Sequence, residues 1–373
     1  MTTGLIWNEM TMWHDSGNQF GPRSKWIEPG RTVEHVDTKR RIKNLLDVSG
    51  LTAQLQVIAP RAASRTELLR VHTAAYLDRI AQADQQGGGN IADKGTTFVG
   101  DGSYDIACLG AGCTLTAVDA VLSGDVANAY ALMRPPGHHA EAERGIGFCI
   151  FNNGAIAAAY ALEHHSLARV AIVDIDAHHG NGAQSIFWRD PRVLAISIHQ
   201  DHGLPFSVGE TSDQGEGPGL GYNINIPLPA GSSQVAYLEA MTRVVTAALA
   251  AFKPDLIIVP CGLDAGYMDP TARMMLSSDS FRALTAELMA CADKHCGGKI
   301  VFSHEGGYEI HTLPFHALAV FETLSGIRTP VVDPFLSACA YACNLPTQPH
   351  ERAAIDQAEA AMRTHPPIAC GVT

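Results

Sequence analysis

Residues 168–182 read A-R-V-A-I-V-D-I-D-A-H-H-G-N-G and combine a short strand with a group of polar side chains. The apolar run 170–173 is typical of a parallel strand that is buried on both faces. Because side chains alternate along an extended segment, Asp174, Asp176 and His178 lie on the same side. Ligands of open α/β sheets bind beyond the carboxyl ends of strands, so these side chains predict half of a metal site. Alone, the pattern also fits a helix-capping aspartate beside solvated histidines.

Composition is typical of a globular enzyme, with 46% hydrophobic and 17% charged residues among 373. The net charge of −12 argues against a nucleic-acid surface and is compatible with cationic substrates. The start of the chain shows no export signal, and no apolar run approaches the roughly 20 residues of a membrane span. We therefore expect a cytoplasmic homo-oligomer that binds neither nucleic acid nor membrane.

The nine cysteines form no paired framework. Cys108, Cys113, Cys261 and Cys291 lie in apolar sequence, which predicts buried thiols in a reducing compartment. No cysteine pair has the partners that a structural zinc site needs.

A regular alternation of short apolar strands and helices predicts a mainly parallel sheet with helices on both faces. We expect a single α/β domain over residues 1–373, with a long loop at about 9–36 and a C-terminal helical tail at about 351–373. The predicted strands are 5–7, 55–58, 129–133, 170–174, 193–198, 256–260 and 300–303. The predicted helices include 38–48 with Asp37 as its cap, 65–83, 153–163, 181–188, 232–251 and 278–296.

Two adjacent histidine pairs differ in their sequence context. His138 and His139 follow a strand in R-P-P-G-H-H, on a turn that two prolines and a glycine make rigid. His164 and His165 close an ordinary helix, where an imidazolium suits the helix dipole and a surface position explains them. The first pair is therefore the candidate for proton transfer near neutral pH.

Two further strands end in polar side chains that complete a candidate site. The sequence C-G-L-D places Asp264 where a third ligand meets Asp176 and His178. The sequence H-E-G-G-Y presents Tyr308, whose hydroxyl can donate to a developing oxyanion. Two carboxylates and one imidazole form an open site that suits Zn²⁺ as a Lewis acid and activator of water. Together these groups predict amide hydrolysis through a tetrahedral intermediate.

Five motifs stand out along the sequence: R-P-P-G-H-H (134–139), G-F-C-I-F-N-N (147–153), D-I-D-A-H-H-G-N-G (174–182), G-L-D-A (262–265) and E-G-G-Y (305–308). Together these motifs resemble those of the histone-deacetylase superfamily, most closely its bacterial class II-like amidohydrolases and acetylpolyamine amidohydrolases. They occur in the order of that family and span most of the chain. The resemblance implies an arginase/deacetylase-like fold with a central, mainly parallel eight-stranded sheet, in agreement with the alternation above.

The resemblance implies a metal-dependent deacetylase or amidohydrolase in which a zinc-activated water attacks an acyl amide. Asp176, His178 and Asp264 correspond to the ligands of Zn²⁺, with Fe²⁺ as an alternative. Tyr308 corresponds to the residue that polarises the substrate carbonyl. Substrates of this class are small-molecule or peptide acyl amides of the acetyl-lysine type.

The same resemblance gives the histidine pair separate tasks. His139 corresponds to the general base that later protonates the leaving amine, and His138 corresponds to its electrostatic partner. Asp174 and Asn181 correspond to the groups that orient His138 and His139. A carboxylate behind His138 favours its protonated form, whereas an amide leaves His139 freer to shuttle a proton.

Family members also bind K⁺, and the resemblance maps two such sites onto this chain. The first lies next to the zinc site and involves Asp174, Asp176, His178, Ser197 and Ile198. The second involves Phe187, Asp190, Val193 and Tyr222.

The resemblance finally predicts a substrate tunnel lined by Gly147, Phe148, Leu204, Phe206, Thr271 and Asp101. Leu204 stands where the family usually has Phe, so either the tunnel is wider or Phe206 fills that wall. Thr271 stands where a large apolar residue is common and where Glu marks some polyamine-specific relatives. Asp101 either contacts the substrate backbone or is a plain turn residue.

Three other functions are alternatives to the hydrolysis of acetyl-lysine-type amides. The acidic composition, Glu141 and Glu143 favour an acetylpolyamine amidohydrolase, whereas Thr271 disfavours it. A binuclear manganese ureohydrolase needs a carboxylate at position 180, which is glycine here. A non-catalytic acyl-amide-binding protein is disfavoured because every ligand and Tyr308 are present.

Overall fold

Eight parallel strands form the central sheet of this protein, whose computed structural model describes residues 2–17, 32–91, 96–202 and 209–368. In chain order, the strands of both sheets in the described residues are β1 (Thr3–Ile6), β2 (Gln56–Ile58), β3 (Gly89–Asn90), β4 (Phe98–Val99), β5 (Asn128–Ala131), β6 (Val170–Asp174), β7 (Val193–Gln200), β8 (Asn223–Leu228), β9 (Leu256–Cys261) and β10 (Ile300–His304). The large sheet has the order β2-β1-β5-β10-β9-β6-β7-β8, and all its neighbouring pairs are parallel. The two shortest strands, β3 and β4, form a separate antiparallel pair.

Helices surround the large sheet. Those in the described residues are α1 (Asp37–Val48), α2 (Arg65–Leu68), α3 (Ala74–Gln85), α4 (Ser103–Leu122), α5 (Asn153–His164), α6 (Asn181–Ile186), α7 (Gln234–Ala240), α8 (Thr246–Phe252), α9 (Ser278–Cys296), α10 (Leu313–Ser325), α11 (Leu336–Cys343) and α12 (Pro349–Thr364). A π-helical segment, Met241–Val245, connects α7 to α8.

The strands pack against helices on both faces because their side chains alternate. In β6, Ala171 and Val173 join the cluster that contains α1, α9 and α10, whereas Val170 and Ile172 join the cluster that contains α3, α4 and α5. All of β6 and all of β9 are buried. This explains why these strands read as continuous apolar runs.

The predicted fold class is confirmed, with an all-parallel eight-stranded sheet rather than a mainly parallel one. Strand β8, with the sequence N-I-N-I-P-L, was not predicted. Asparagine and proline disfavour a central strand, but β8 lies at the edge of the sheet, where proline is tolerated. Helices α10 and α11 were also missed.

Two helix predictions were wrong in detail. The helix predicted at 65–83 is two helices, α2 and α3, because Thr73 caps α3 by accepting from Tyr76 N. Asp37 is the first residue of α1 and not its cap; residue Val36 occupies the cap position without a side-chain hydrogen bond.

By length and composition alone, two helical stretches are long and apolar enough to cross a membrane. The sequence had predicted that no apolar run approaches the length of a membrane span. The first is α4, which contains 20 residues and has 72% of its most apolar window buried in the protein. The second, Gln234–Phe252, has 50% of its window buried. Burial of α4 explains its composition, because core helices are apolar on most sides.

Candidate active site

The carboxyl ends of four adjacent strands meet at one site. In the order β5-β10-β9-β6 each strand neighbours the next, so the segments that follow them lie side by side. Such crevices beyond strand ends are the usual ligand sites of parallel sheets. The side chains that these segments supply are His138, His139, Asp176, His178, Asp264 and Tyr308.

Asp176, His178 and Asp264 form a compact group in which one ligand atom from each lies within 4.8 Å of the others. His178 Nδ1 lies 3.0 Å from both Asp176 Oδ1 and Asp264 Oδ2. Tetrahedral zinc with bonds of about 2.0–2.2 Å separates its ligand atoms by roughly 3.3 Å, close to this spacing. The backbone fixes the other oxygens, since Gly306 N donates to Asp176 Oδ2 at 2.9 Å and Ala177 N donates to Asp264 Oδ1 at 2.8 Å.

Glycines make room for these carboxylates. A Cβ atom at Gly306 would overlap Asp264 Oδ2 and lie 2.6 Å from Asp176 Oδ2. A Cβ atom at Gly262 would overlap the carboxylate of Asp176. The three-residue donor set and its close-fitting backbone therefore suit one divalent cation with nitrogen and oxygen ligands.

His138 and His139 lie side by side, with ring centroids 3.9 Å apart, but have different partners. His138 Nδ1 lies 2.9 Å from Asp174 Oδ2, and His139 Nδ1 lies 2.7 Å from Asn181 Oδ1. Burial opposes a charged His138, but the carboxylates of Asp176 and Asp174 outweigh burial and raise its pKa to about 10. Burial, followed by the positive charge of His138, lowers the pKa of His139 well below its usual value. One imidazole is therefore protonated and the other neutral.

A buried glutamate supports the turn that carries these histidines. Glu305 Oε2 accepts from Gly137 N at 2.6 Å and from His138 N at 3.0 Å. Ser303 Oγ donates to Glu305 Oε1 at 3.3 Å. Glu305 belongs to the motif E-G-G-Y, but no role was predicted for it, because a carboxylate that binds backbone amides leaves no spacing signal.

Glu141 supports the other side of the pair. Its Oε1 accepts from Asn181 Nδ2 at 2.9 Å, which turns the amide oxygen of Asn181 toward His139. Arg144 also bonds this carboxylate, at 3.0 Å. Glu141 and Glu143 were predicted to favour polyamine substrates, but neither is among the described residues that line the cavity at His139 and Tyr308.

Tyr308 is held from its backbone and lies against the ligand group. Asp269 Oδ2 accepts from Tyr308 N at 2.7 Å, and its Oδ1 accepts from Thr271 N and Oγ1 at 2.9 Å and 2.6 Å. Burial and the neighbouring Asp264 and Asp176 raise the pKa of Tyr308 well above its usual value. The phenol therefore keeps its proton and can act as a donor. Thr271 was predicted to be a rim residue, whereas the anchoring role of Asp269 was not predicted from the sequence.

A buried charge network lies behind Tyr308. Arg134 binds both carboxylate oxygens of Glu34 at 2.7 Å, although the two residues are 100 positions apart. Lys39 Nζ lies 3.5 Å from Glu34 Oε1 and 5.1 Å from the centroid of the Tyr308 ring. Burial favours a protonated Glu34, but Arg134 outweighs it and holds the pKa of that carboxyl well below its usual value. The network was not predicted from the sequence, because nothing in the local spacing relates Glu34, Lys39 and Arg134 to one another.

A cavity of about 420 Å³ leads to His139, His178 and Tyr308. His139, Gly147 and Tyr308 at its inner end are buried, whereas Pro270 and Arg273 at its opening are exposed. The described lining residues are Val33, Thr96, His139, Gly147, Phe148, His178, Gln200, His202, Pro270, Thr271, Arg273 and Tyr308.

The tunnel prediction divides into three parts. Gly147, Phe148 and Thr271 line the cavity. Asp101 lies exposed in the turn before α4 and is not among the described lining residues. Leu204 and Phe206 lie outside the described residues.

The residues predicted for the first K⁺ site lie on two neighbouring strands. Asp174, at the end of β6, pairs in register with Ser197 of β7, and Ile198 follows it. Asp176 and His178 continue the segment beyond Asp174. The structure therefore brings these five residues to one end of the sheet.

Three residues predicted for the second K⁺ site share a turn before β7. Asp190 N donates to Phe187 O at 2.9 Å, and Val193 N donates to Asp190 O at 3.3 Å. The fourth, Tyr222, is linked to β7 through its carbonyl, which accepts from Ala195 N at 2.9 Å. Ion binding at either place remains a prediction.

Comparisons with known proteins agree with this architecture. Residues 32–324 match the family described as "Histone deacetylase domain". The chain is 47% identical over 337 residues to the histone deacetylase-like amidohydrolase of Pseudomonas aeruginosa, covering 89% of this chain and 88% of that protein. It is 33% identical over 336 residues to histone deacetylase 8 of Arabidopsis thaliana, covering 87% and 88%. The crystal structure of the HDA15 HD domain matches with a TM-score of 0.85 and 28% identity, covering 98% of this chain and 95% of that one.

An all-parallel eight-stranded sheet surrounded by helices, with this structural neighbour, is the arginase/deacetylase fold. Fold and relatives together define a class of deacetylases and amidohydrolases. The chain belongs to the histone deacetylase family.

Proposed function

We propose that this protein hydrolyses acyl amides of the acetyl-lysine type to a free amine and a carboxylate, with Zn²⁺ as its metal. The observation that carries the proposal is the convergence of Asp176, His178 and Asp264 beside His139 and Tyr308 at the inner end of one cavity. An amide that enters this cavity meets a cation site, a neutral imidazole and a phenol donor together. Fe²⁺ accepts the same ligands and is the alternative metal.

The bound cation would supply Lewis acidity toward the substrate carbonyl and toward water. His139 takes the proton from the attacking water, because its lowered pKa keeps the imidazole neutral. The same imidazole then returns that proton to the nitrogen of the leaving amine. His138 stays protonated and stabilises the negative charge that develops beside it. Tyr308 keeps its proton and donates a hydrogen bond from its hydroxyl group to the carbonyl oxygen.

The remaining expectations belong to the same proposal. Two K⁺ ions would bind to the two predicted groups of residues, one that includes Asp174 at the end of β6 and one that includes Asp190 before β7. They would hold these parts of the chain in place. A cytoplasmic homo-oligomer that does not bind nucleic acid agrees with the net charge of −12.

Hydrolysis of an acetyl-lysine peptide, followed as released amine, tests the proposal. His139→Ala should lower kcat by about 10²–10⁴-fold, the usual contribution of a general base. His164→Ala is the matched control, because His164 is exposed at the end of α5, and the variant should leave kcat unchanged. Undiminished turnover by His139→Ala would refute the assigned base.

A further inference from the structure

The guanidinium of Arg273 lies at the opening of the cavity. Arg273 and His202 are exposed lining residues, and no carboxylate is among the described residues that line the cavity. An acyl amide bound at the metal site leaves the rest of its amine portion at this opening. The charge of that portion therefore bears on which substrates are accepted.

Arg273 has no acidic partner within the described ranges. Its Nη1 donates to two backbone carbonyls, Ala272 O at 2.6 Å and Pro270 O at 3.2 Å. By contrast, the exposed Arg189 and Arg192 each bond a carboxylate oxygen at 2.6 Å. Backbone carbonyls orient the Arg273 guanidinium without neutralising it, so its charge remains available to a ligand.

Nearby carboxylates are already engaged. Asp269 bonds Tyr308 N and the N and Oγ1 atoms of Thr271, and it is 7% exposed. Asp201 lies 3.0 Å from His202 Nδ1 and is not part of the described lining. Arg273 N donates to Gln200 Oε1 at 2.6 Å, which ties the arginine to a second lining residue.

Building on the proposed hydrolase function, we propose that Arg273 is a specificity-determining residue that selects acyl amides bearing a carboxylate just outside the cavity. Peptides with acidic residues beside the acyl-lysine, or an acyl-lysine with a free carboxyl group, have this chemistry. Polyamine substrates present ammonium groups to the same guanidinium and are disfavoured. The negative charge of the whole chain does not reverse this preference, because charges beyond about 8–10 Å are screened at physiological salt.

Matched substrates test this preference. Three peptides share one acetyl-lysine and carry aspartate, alanine or lysine on both sides, and Nε-acetyl-lysine with a free or an amidated carboxyl group distinguishes the two sources of charge. N-acetylputrescine represents the polyamines. For the wild-type protein we expect kcat/KM to be about threefold to fivefold higher for the aspartate peptide than for the lysine peptide, as suits one exposed ion pair. This ratio should approach one in 0.5 M salt, for which the Debye length is roughly 4–5 Å.

Variants of Arg273 test whether this side chain causes the preference for the aspartate peptide over the lysine peptide. Arg273→Glu should invert the ratio and Arg273→Lys should keep it. Arg169→Glu is the matched control, because Arg169 also bonds a backbone carbonyl but precedes β6 at the opposite end of the sheet. An equal ratio in wild type and Arg273→Glu would overturn the inference while leaving the hydrolase proposal intact. If the wild-type protein cleaves no acyl amide, the proposed function fails as well.

Discussion

The side chains behind the two active-site histidines differ by one functional group. His138 faces the carboxylate of Asp174, and His139 faces the amide oxygen of Asn181. The pKa of His138 is raised to about 10, whereas that of His139 is lowered well below its usual value. Two identical imidazoles in contact can therefore hold different protonation states.

Asn181→Asp should change the pH dependence of hydrolysis. A carboxylate behind His139 favours its protonated form and raises its pKa, so the fraction of neutral base falls on the acidic side. We expect the acidic limb of the kcat/KM profile to move to higher pH. Complete pH profiles of the wild type and the variant measure this shift.

Asn225→Asp is the matched control for this profile. Asn225 Oδ1 lies 3.1 Å from His179 Nε2, so the variant places a carboxylate beside a histidine that does not line the cavity. Its acidic limb should stay where the wild-type limb lies. A limb that does not move in folded Asn181→Asp contradicts the role of His139 as the neutral base.

At the scale of elements, four strand ends and their following segments build the site. The segment after β10 approaches the ligand carboxylates so closely that only hydrogen fits at position 306. The same close approach lets Gly306 N donate to Asp176 Oδ2. The path of the backbone at Gly306 and the orientation of the Asp176 and Asp264 carboxylates therefore depend on each other.

Gly306→Ala should weaken metal binding, because the added methyl group overlaps Asp264 Oδ2 and displaces both carboxylates. We expect a loss of about tenfold to 100-fold in zinc affinity, as for other changes that misorient ligands. Competition with a fluorescent chelator measures that affinity. Gly89→Ala is the control, since nothing lies within 4 Å of a Cβ there. Equal affinities in the two variants would contradict the importance of this close approach.

Strands and helices were predictable from the sequence where their local hydrophobic pattern matches their burial in the fold. β6 and β9 are buried on both faces and read as apolar runs, so their positions and the polar residues after them were recognisable. β8 alternates asparagine with isoleucine, and its asparagines bond loop carbonyls rather than solvent, so its pattern suggested no strand. Glu34, Lys39 and Asp269 were missed because their roles arise only when distant segments fold together.

At the scale of the whole molecule, Glu34 and Arg134 join the N-terminal region to the end of β5. Glu34 is fully buried and Arg134 is 1% exposed. Arg134 also donates to Met12 O at 3.0 Å and His14 O at 3.1 Å. Removing one member of such a pair leaves an uncompensated buried charge, which costs about 3–5 kcal/mol.

Glu34→Gln should therefore lower the free energy of unfolding by about that amount at pH 7. The ordinary pKa of Glu34 is near 4.5 and its folded pKa is lower, so its stabilisation is complete above 4.5 and is lost as pH falls toward the folded pKa. The difference between wild type and variant should shrink by about 1.4 kcal/mol for each pH unit below about 4.5. Urea unfolding at pH 7, 4 and 3 measures it.

Glu216→Gln provides the comparison for this effect. Glu216 and its partner Arg189 have side chains 56% and 68% exposed, so the variant should change stability by at most about 1 kcal/mol. A pH-independent difference for Glu34→Gln would contradict the lowered pKa of the buried carboxyl.

Metal content and hydrolysis, measured on the same purified samples, test the shared ligand group most directly. We expect one divalent ion per chain, loss of acetyl-lysine hydrolysis on chelation, and recovery when Zn²⁺ is restored. Asp264→Asn should lose both the ion and the activity, whereas Asp279→Asn, on the exposed start of α9, should keep both. Full hydrolysis by the metal-free chain, or by Asp264→Asn without metal, would contradict a cation held by Asp176, His178 and Asp264.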